Sequence, residues 1–328
     1  TPVKIDGGFK VTVRPSVHPL QIDGNLQFVI VFDEVDPSSL PKIIKGGKNA
    51  AGTAKEQLVR ELEQELSATR EHLQTIIEDQ ETANEELLLA MKCSQHLRKM
   101  EVDILVDLNG HTRNDNFDIL SHRPAPVQAT WLGYAGTTAA PFIDTLIADK
   151  IVAPDTRAFS EKLALLPYCF FPSDTDRKLG RLPSRAEAGL PQDGFVFCCF
   201  NNSWKITEPV FSIWMRLLNS VPASVLWLKQ AGDKTKSNLR QAAKERGVDA
   251  ARLIFAPPAP LEVHLARHQL AGLFLDTMPY NAHATACDAL WAGLPVVAQR
   301  GSAYAGRVAA SLLTAAGVPE LITQTAEE

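Results

Sequence analysis

The residues best suited to chemistry lie between 259 and 293. His264 and Arg267 are three apart in a helix-like stretch, so they share one face. A flat imidazole and a flat guanidinium on one face can clamp a pyrimidine ring; the same spacing also suits an ordinary amphipathic surface helix. A strand from Leu273 to Asp276 follows, then a polar turn, then a helix opening near Thr285. Strand, turn and helix start make an anion site, because the first N–H groups of a helix lack internal partners. His283, Ala284 and Thr285 lead into that helix, and His283 could donate a hydrogen bond to a departing diphosphate. Asp288 is expected on the first turn, within reach of ribose hydroxyls. Upstream, Lys205 follows a strand ending at Phe200 and precedes a helix, where it could set a point charge on the same diphosphate or be a plain surface lysine. Gly133-Tyr-Ala-Gly136-Thr137 is a glycine loop that allows close approach of backbone to a ligand, or a tight turn.

The elements that must position these residues form an α/β pattern from residue 101 onward. Strand-like runs are Asp103–Leu108, Val127–Leu132, Leu146–Val152, Phe195–Phe200, Ser224–Lys229, Leu253–Ala256, Leu273–Asp276 and Pro295–Ala298. Helical patterns fall at about 207–219, 235–246, 261–269, 285–292 and 304–316. Their alternation from 195 onward predicts a doubly wound parallel sheet, with ligands at the carboxyl ends of its strands. Asn201, 257–259 and 277–283 all lie at such ends.

Composition narrows the function classes. The chain has 328 residues, 45% hydrophobic and 22% charged, with a net charge of −5. That balance argues against nucleic acid as the main partner, since phosphate contacts need a basic face. No apolar run reaches the roughly 20 residues of a membrane span, and Thr1–Asp6 does not open a signal peptide. Five scattered cysteines without a Cys-x-x-Cys pair predict reduced thiols in a cytoplasmic protein. The histidines are too dispersed for a zinc site.

The first 92 residues differ in texture. Residues 1–42 hold two strand-like runs, Phe9–Val13 and Leu26–Asp33, with turn signals at Gly7-Gly8 and Asp23-Gly24-Asn25. Residues 43–55 predict a linker. Residues 56–92 predict one amphipathic helix, in which Val59, Leu62, Leu66, Thr69, Leu73, Ile76, Gln80, Ala83 and Leu87 step by three and four. This heptad seam predicts a homodimeric coiled coil; the alternative is a lone helix lying on its own globular domain. With Gly7-Gly8, Val11–Pro15 and the Glu-rich run from Glu61 to Leu88, the segment resembles the sensor-linker region of chemotaxis methylesterase/methyltransferase fusion proteins.

Residues 97–328 resemble the O-linked N-acetylglucosamine transferase family (O-GlcNAc transferase and SPINDLY-like), bacterial branch. The motifs are Asp107–Thr112, Arg123–Gln128, Trp131–Thr137, Phe200–Lys205 and Asn281–Thr285, in order. The resemblance implies a GT-B-like arrangement of two Rossmann-type lobes, an incomplete one at 97–184 and a nucleotide-sugar lobe at 185–328. It implies inverting transfer of N-acetylglucosamine from its UDP donor to Ser or Thr of a protein, with no metal or other cofactor. It places Asn202 and Lys205 on the donor phosphates, Ala259, His264 and Arg267 on the uracil, Asp288 on the ribose, and Gly136 and Thr137 in the cleft. His283, with Ala284 and Thr285, faces the leaving diphosphate, so His283 and Lys205 are the catalytic candidates.

The sequence departs from the family at several points. Asn202 stands where glutamine is frequent, Leu261 where vertebrate members have a ribose-reaching lysine, Ala135 where proline is usual, and Ala284 where a second threonine is usual. No Asp-Phe-x-x-His-type motif precedes Asp103, which itself is either a cleft contact or a strand-start aspartate. Asp174-Thr-Asp176 has the form used by metal-dependent glycosyltransferases, but three residues in a loop carry little weight. These departures, with a first lobe and a C-terminus expected to be truncated, predict weak or absent turnover. The alternatives are a UDP-binding module dimerised by the 56–92 helix, or another nucleotide-sugar enzyme such as a fucosyl- or glucosyltransferase or an epimerase.

Overall fold

The computed structural model describes residues 2–4, 10–22, 25–34, 50–112 and 116–325, and side chains from 59 onward except at 61 and 113–115. Contacts divide the chain into Thr1–Thr82 and Ala83–Glu328.

The first unit carries an antiparallel sheet in the order β1-β2-β3, with β1 at Pro2–Lys4, β2 at Lys10–Ile22 and β3 at Asn25–Glu34. Both expected strands are present, and β2 runs on to Ile22. It contains Pro15 and Pro19, which sit where β2 pairs with β3 alone. Gly7-Gly8 and Asp23-Gly24 lie outside the described residues.

Helix α1 spans Ala50–Lys99, longer at both ends than the expected 56–92. The predicted linker therefore fails over 50–55: Ala50, Ala51 and Ala54 favour helix more than Gly52 opposes it. At the other end Ala90 and Ser94 are buried, and His96, Arg98 and Lys99 complement the C-terminal dipole. Val59, Leu62, Leu66, Leu73, Ile76 and Leu87 all remain exposed along the seam.

The second unit contains two parallel sheets. The first, in order β4-β5-β6-β7, comprises Ile104–Asp107, Val127–Thr130, Thr145–Asp149 and Lys162–Leu166, with a short helix α2 at Phe117–Ser121. Strand β7 is absent from the sequence-based reading; its apolar run, Leu163–Leu166, is only four residues long and mostly on the surface. The run expected from Leu146 to Val152 stops at Asp149, whose Oδ1 accepts the N–H groups of Ile151 and Val152 and turns the chain.

The second sheet alternates strictly with helices: β8 (Val196–Cys199), α3 (Glu208–Ser220), β9 (Val225–Lys229), α4 (Asp233–Glu245), β10 (Leu253–Ala256), α5 (Leu261–Arg267), β11 (Leu273–Leu275), α6 (Ala284–Trp291), β12 (Val296–Gln299), α7 (Val308–Ala315) and β13 (Ile322–Thr323). The spatial order is β10-β9-β8-β11-β12-β13, all parallel. Taken from β8, this is the order 3-2-1-4-5-6 of a dinucleotide-type fold, which reverses direction between β8 and β11. Strand β8 is buried on both faces, so Cys198 and Cys199 are both core residues. Trp214, Trp227, Phe274 and Leu313 pack the core of this lobe, each contributing about 1.5–3 kcal/mol.

The lobes are latched beneath the cleft. Asp149 Oδ2 accepts from Phe170 N (2.9 Å) and from Ser311 Oγ on α7 (2.6 Å), and the Arg307 guanidinium donates twice to Val152 O (2.7 and 3.0 Å).

Candidate functional site

The reversal between β8 and β11 opens a crevice at their carboxyl ends, and Asn201 and Asp276 are the residues that emerge there. Asn201 is fully buried. Its Nδ2 donates to Asp276 Oδ1 (3.2 Å) and Thr277 Oγ1 (2.8 Å), and its Oδ1 accepts from Thr285 Oγ1 in the first turn of α6. Asp276 Oδ1 also accepts the N–H groups of Thr277 (2.7 Å) and Ala282 (2.6 Å), which closes 276–282 into a ring. Thr277 Oγ1 donates across that ring to Tyr280 O, and Asn281 Nδ2 to Thr277 O. One buried polar network thus fixes the entrance to α6, whose leading N–H groups lack intrahelical acceptors and can receive an anion.

Lys205 leaves the short 3₁₀ turn after β8 and enters this crevice. Its ammonium donates to Asn281 O (2.8 Å) and sits 4.0 Å from the Tyr280 ring centroid. The Tyr280 ring stacks on His283, with centroids 4.9 Å apart and planes at 25°. Three polar atoms of this loop, Asp276 Oδ2, Asn281 Oδ1 and His283 Nε2, lie out of solvent with no partner. Such groups are rare in folded proteins and here converge beside a cation.

Burial shapes the charges. It lowers the Lys205 ammonium to about 8, against the attraction of Asp276. It raises the Asp276 carboxyl to about 7, although the Ala282, Thr277 and Asn201 hydrogen bonds and the Lys205 charge pull the other way. The Asp276 residue keeps partial exposure through its other atoms, but the carboxyl itself is enclosed. His283 is lowered to about 4 by burial and then by Lys205, and His264 to about 3 by burial and then by the charges of His268, Arg267 and Lys229. Both imidazoles are neutral at pH 7.

Around the crevice, α5 presents His264 above Phe200, with ring centroids 5.3 Å apart. Arg267 departs from the expected second jaw of a clamp. It is buried, bonded to Pro257 O (2.7 Å) and His264 Nδ1 (2.5 Å), and stacked on Phe200 at 4.6 Å, so it orients His264 from behind. The proline run 257–260 keeps Ala259 in a half-buried turn before α5. Asp288 is the fifth residue of α6, opening the second turn rather than standing on the first. Its Oδ1 meets Arg177 at 2.5 Å and its Oδ2 lies 3.8 Å from His264 Nε2. Asn202 is exposed and its Oδ1 accepts from Lys229 Nζ at 2.7 Å. Ala284 is exposed at the first position of α6.

The first lobe supplies the facing loops. Asp107 Oδ2 accepts from Gly110 N (2.7 Å), shaping the 107–112 turn, and His111 packs edge-on against Tyr134. Only glycine fits at 133, since a Cβ there would stand 2.1 Å from Leu108 O. Tyr134 lies near enough to Tyr280 to help burial raise its phenol, so the glycine loop faces the second lobe. Gly136 packs against the Tyr134 ring. The Thr137 hydroxyl is committed to Glu161 Oε2 (2.6 Å), one of the hydrogen bonds that hold Glu161 low despite its burial. Arg123 and Gln128 are structural: Arg123 pairs with Asp144 (2.9 Å), and Gln128 donates to Leu120 O and Phe142 O. Asp103 is exposed at the amino end of β4, away from the carboxyl-end crevice, which leaves it the strand-start role. Asp174 and Asp176 are exposed in a turn, and no group of three potential metal ligands comes together among the described residues.

Sequence reasoning missed Arg177, Tyr280 and the role of Asp276. Arg177 sits 111 positions from its partner, a separation that spacing cannot bridge. Asp276 could have been found as the polar residue ending an apolar strand at the reversal point.

The comparisons fit this geometry. A family model described as "Glycosyl transferase family 41" matches residues 86–186 and 180–328. The chain belongs to that family. It is 37% identical over 237 residues to a probable UDP-N-acetylglucosamine–peptide N-acetylglucosaminyltransferase (SEC) of Arabidopsis thaliana, covering 70% of this chain and 24% of that protein. It is 28% identical over 351 residues to the UDP-N-acetylglucosamine–peptide N-acetylglucosaminyltransferase of Caenorhabditis elegans, covering 72% and 30%. The solved structure of a mutant O-GlcNAc transferase from Thermobaculum terrenum aligns with a TM-score of 0.65 at 32% identity, covering 73% of this chain and 46% of that one. This family 41 chain therefore spans about a quarter to a third of those two relatives. The model match begins inside α1 and leaves residues 1–85 outside it. Among the described residues no helix is long and apolar enough to cross a membrane.

Proposed function

We propose that the lobe at 185–328 binds UDP-N-acetylglucosamine and that the chain carries the donor half of an inverting protein O-N-acetylglucosaminyltransferase acting on Ser or Thr. The observation that carries this reading is the crevice between β8 and β11, where Lys205, the α6 N-terminus and the partnerless His283 Nε2 come together. The uracil lies against Ala259 and His264, with Arg267 fixing the imidazole; Asp288 takes the ribose; Asn202, Lys205 and Thr285 take the diphosphate. Direct displacement needs the diphosphate charge stabilised as it departs. Lys205 supplies the positive charge and His283 a hydrogen-bonding nitrogen, so a metal ion has no required part. Gly136 and Thr137 line the acceptor side, where a hydroxyl must align behind the anomeric carbon. The assigned setting is cytoplasmic, with no nucleic-acid or membrane partner. Titration calorimetry with UDP in chelator tests the donor site: saturable micromolar binding is expected, and its absence in a folded chain removes the reading. Sugar transfer to a peptide from UDP-N-acetylglucosamine then tests turnover.

A second reading is a UDP-binding module dimerised through α1. The exposed apolar seam of α1 suits a second copy of the helix, as in a sensor-linker coiled coil. Leu73→Glu should convert a sedimenting dimer to a monomer; a wild-type chain that already sediments as a monomer removes the dimer.

A further inference from the structure

Asp276 is the buried ionisable group that the donor reading leaves without a task. Its two oxygens are unequal. Oδ1 is saturated by Thr277 N, Ala282 N and Asn201 Nδ2, whereas Oδ2 is enclosed and partnerless. An enclosed oxygen with no donor suits a carboxylic acid better than a carboxylate, because the charged form would forfeit solvation on that side. The charged and titratable groups around it are few. Lys205, after β8, attracts it, and Cys199 on β8 is held far above its usual range by burial. His283 at the α6 entrance and Tyr280 in the loop flank Lys205, and Arg216 of α3 stands on the rim of the groove of about 620 Å³ that reaches Asp276 from behind. Lys205, whose ammonium is bonded to Asn281 O of the same ring, is the cation whose charge reaches Asp276.

Resting on the donor reading above, a diphosphate brought to Lys205 would compete with Asp276 for that single ammonium and would add like charge next to an enclosed carboxylate. We infer that Asp276 takes up a proton from solvent when the donor diphosphate binds: Oδ2 becomes O–H, no other bond changes, and the Lys205 charge is left to the diphosphate. Oδ1 keeps its three donors in either state, so the ring 276–282 and the start of α6 stay fixed while the charge is removed. Asp276 is in this sense a positioning residue that matches the charge of the site to its ligand.

The test is calorimetry of UDP binding near pH 7.5 in buffers of different ionisation enthalpy, which reads protons exchanged per UDP bound. The wild-type chain is expected to take up a substantial fraction of a proton. Asp276→Asn should lose most of that uptake and show a flatter dependence of affinity on pH between 6 and 8. Asp233→Asn, at an exposed carboxylate of α4 outside the donor site, should keep it. Equal uptake in wild type and Asp276→Asn would overturn the inference, as would an equal loss in Asp233→Asn. If Asp276→Asn does not fold, infrared difference spectra of the wild-type chain with and without UDP decide: a new protonated-carboxyl C=O band supports the proposal, and its absence refutes it. Failure of the wild-type chain to bind UDP at all would strike the donor reading instead, so the two failures are distinct.

Discussion

Replacing Arg177 with Met should both destabilise the fold and disorder the donor site. Arg177 and Asp288 meet at 2.5 Å with side chains only 13% and 15% exposed. Removing one partner of an enclosed pair leaves the other charge uncompensated, which costs about 3–5 kcal/mol. The residual exposure of both groups puts the effect at the lower end, near 3 kcal/mol, and loss of stacking on Trp291 (5.2 Å) adds to it. For a unit of this size that corresponds to a fall in Tm of about 6–12 °C. Asp288→Asn should cost a similar amount, but the double variant should cost far less than the sum, with a coupling of about 2 kcal/mol. Urea unfolding of the four proteins gives the cycle. UDP affinity should fall about tenfold in Arg177→Met, because Asp288 loses the group that aims it at the ribose. Additive stability losses, or unchanged UDP affinity in both single variants, would refute the reasoning.

Lys205→Ala should weaken UDP binding at least tenfold, about 1.4 kcal/mol, by calorimetry, with little change in stability since its charge is already penalised by burial. Stability should decline as pH falls from 6.5 toward 4. His264, His268 and His283 are depressed in the folded chain by burial, so the unfolded chain binds more protons there, while the raised Asp276 opposes with one proton the other way. The slope should flatten in His283→Asn, as read from urea midpoints across that window. Ser311→Ala should cost about 1–3 kcal/mol by urea unfolding, since Asp149 Oδ2 loses a buried donor that joins the lobes. Ala284→Thr should tighten UDP binding by restoring a hydroxyl at the exposed first position of α6; unchanged affinity would show that the backbone N–H there suffices.

Much of the fold was legible because it rests on local rules. From β8 to β12 the alternation of apolar runs with amphipathic stretches sets every element within a few residues, and that alternation dictates a parallel sheet with ligands at the strand ends. The heptad seam of α1 and the placement of Lys205 and His283 at a strand end and a helix start follow from the same short-range patterns. Local rules failed at β7, a short surface strand paired along its whole length with β6, and at 50–55, where alanines extend a helix across an apparent linker. What only the tertiary structure decided are the roles that depend on partners far apart in sequence. Arg177 reaching Asp288, Arg267 folded behind His264 onto Phe200, Thr137 committed to Glu161, and Asp276 with one saturated and one empty oxygen are all set by how the strands and loops pack. A side chain's charge and direction are fixed by burial and by the nearest donors in space, and residue spacing along the chain carries neither.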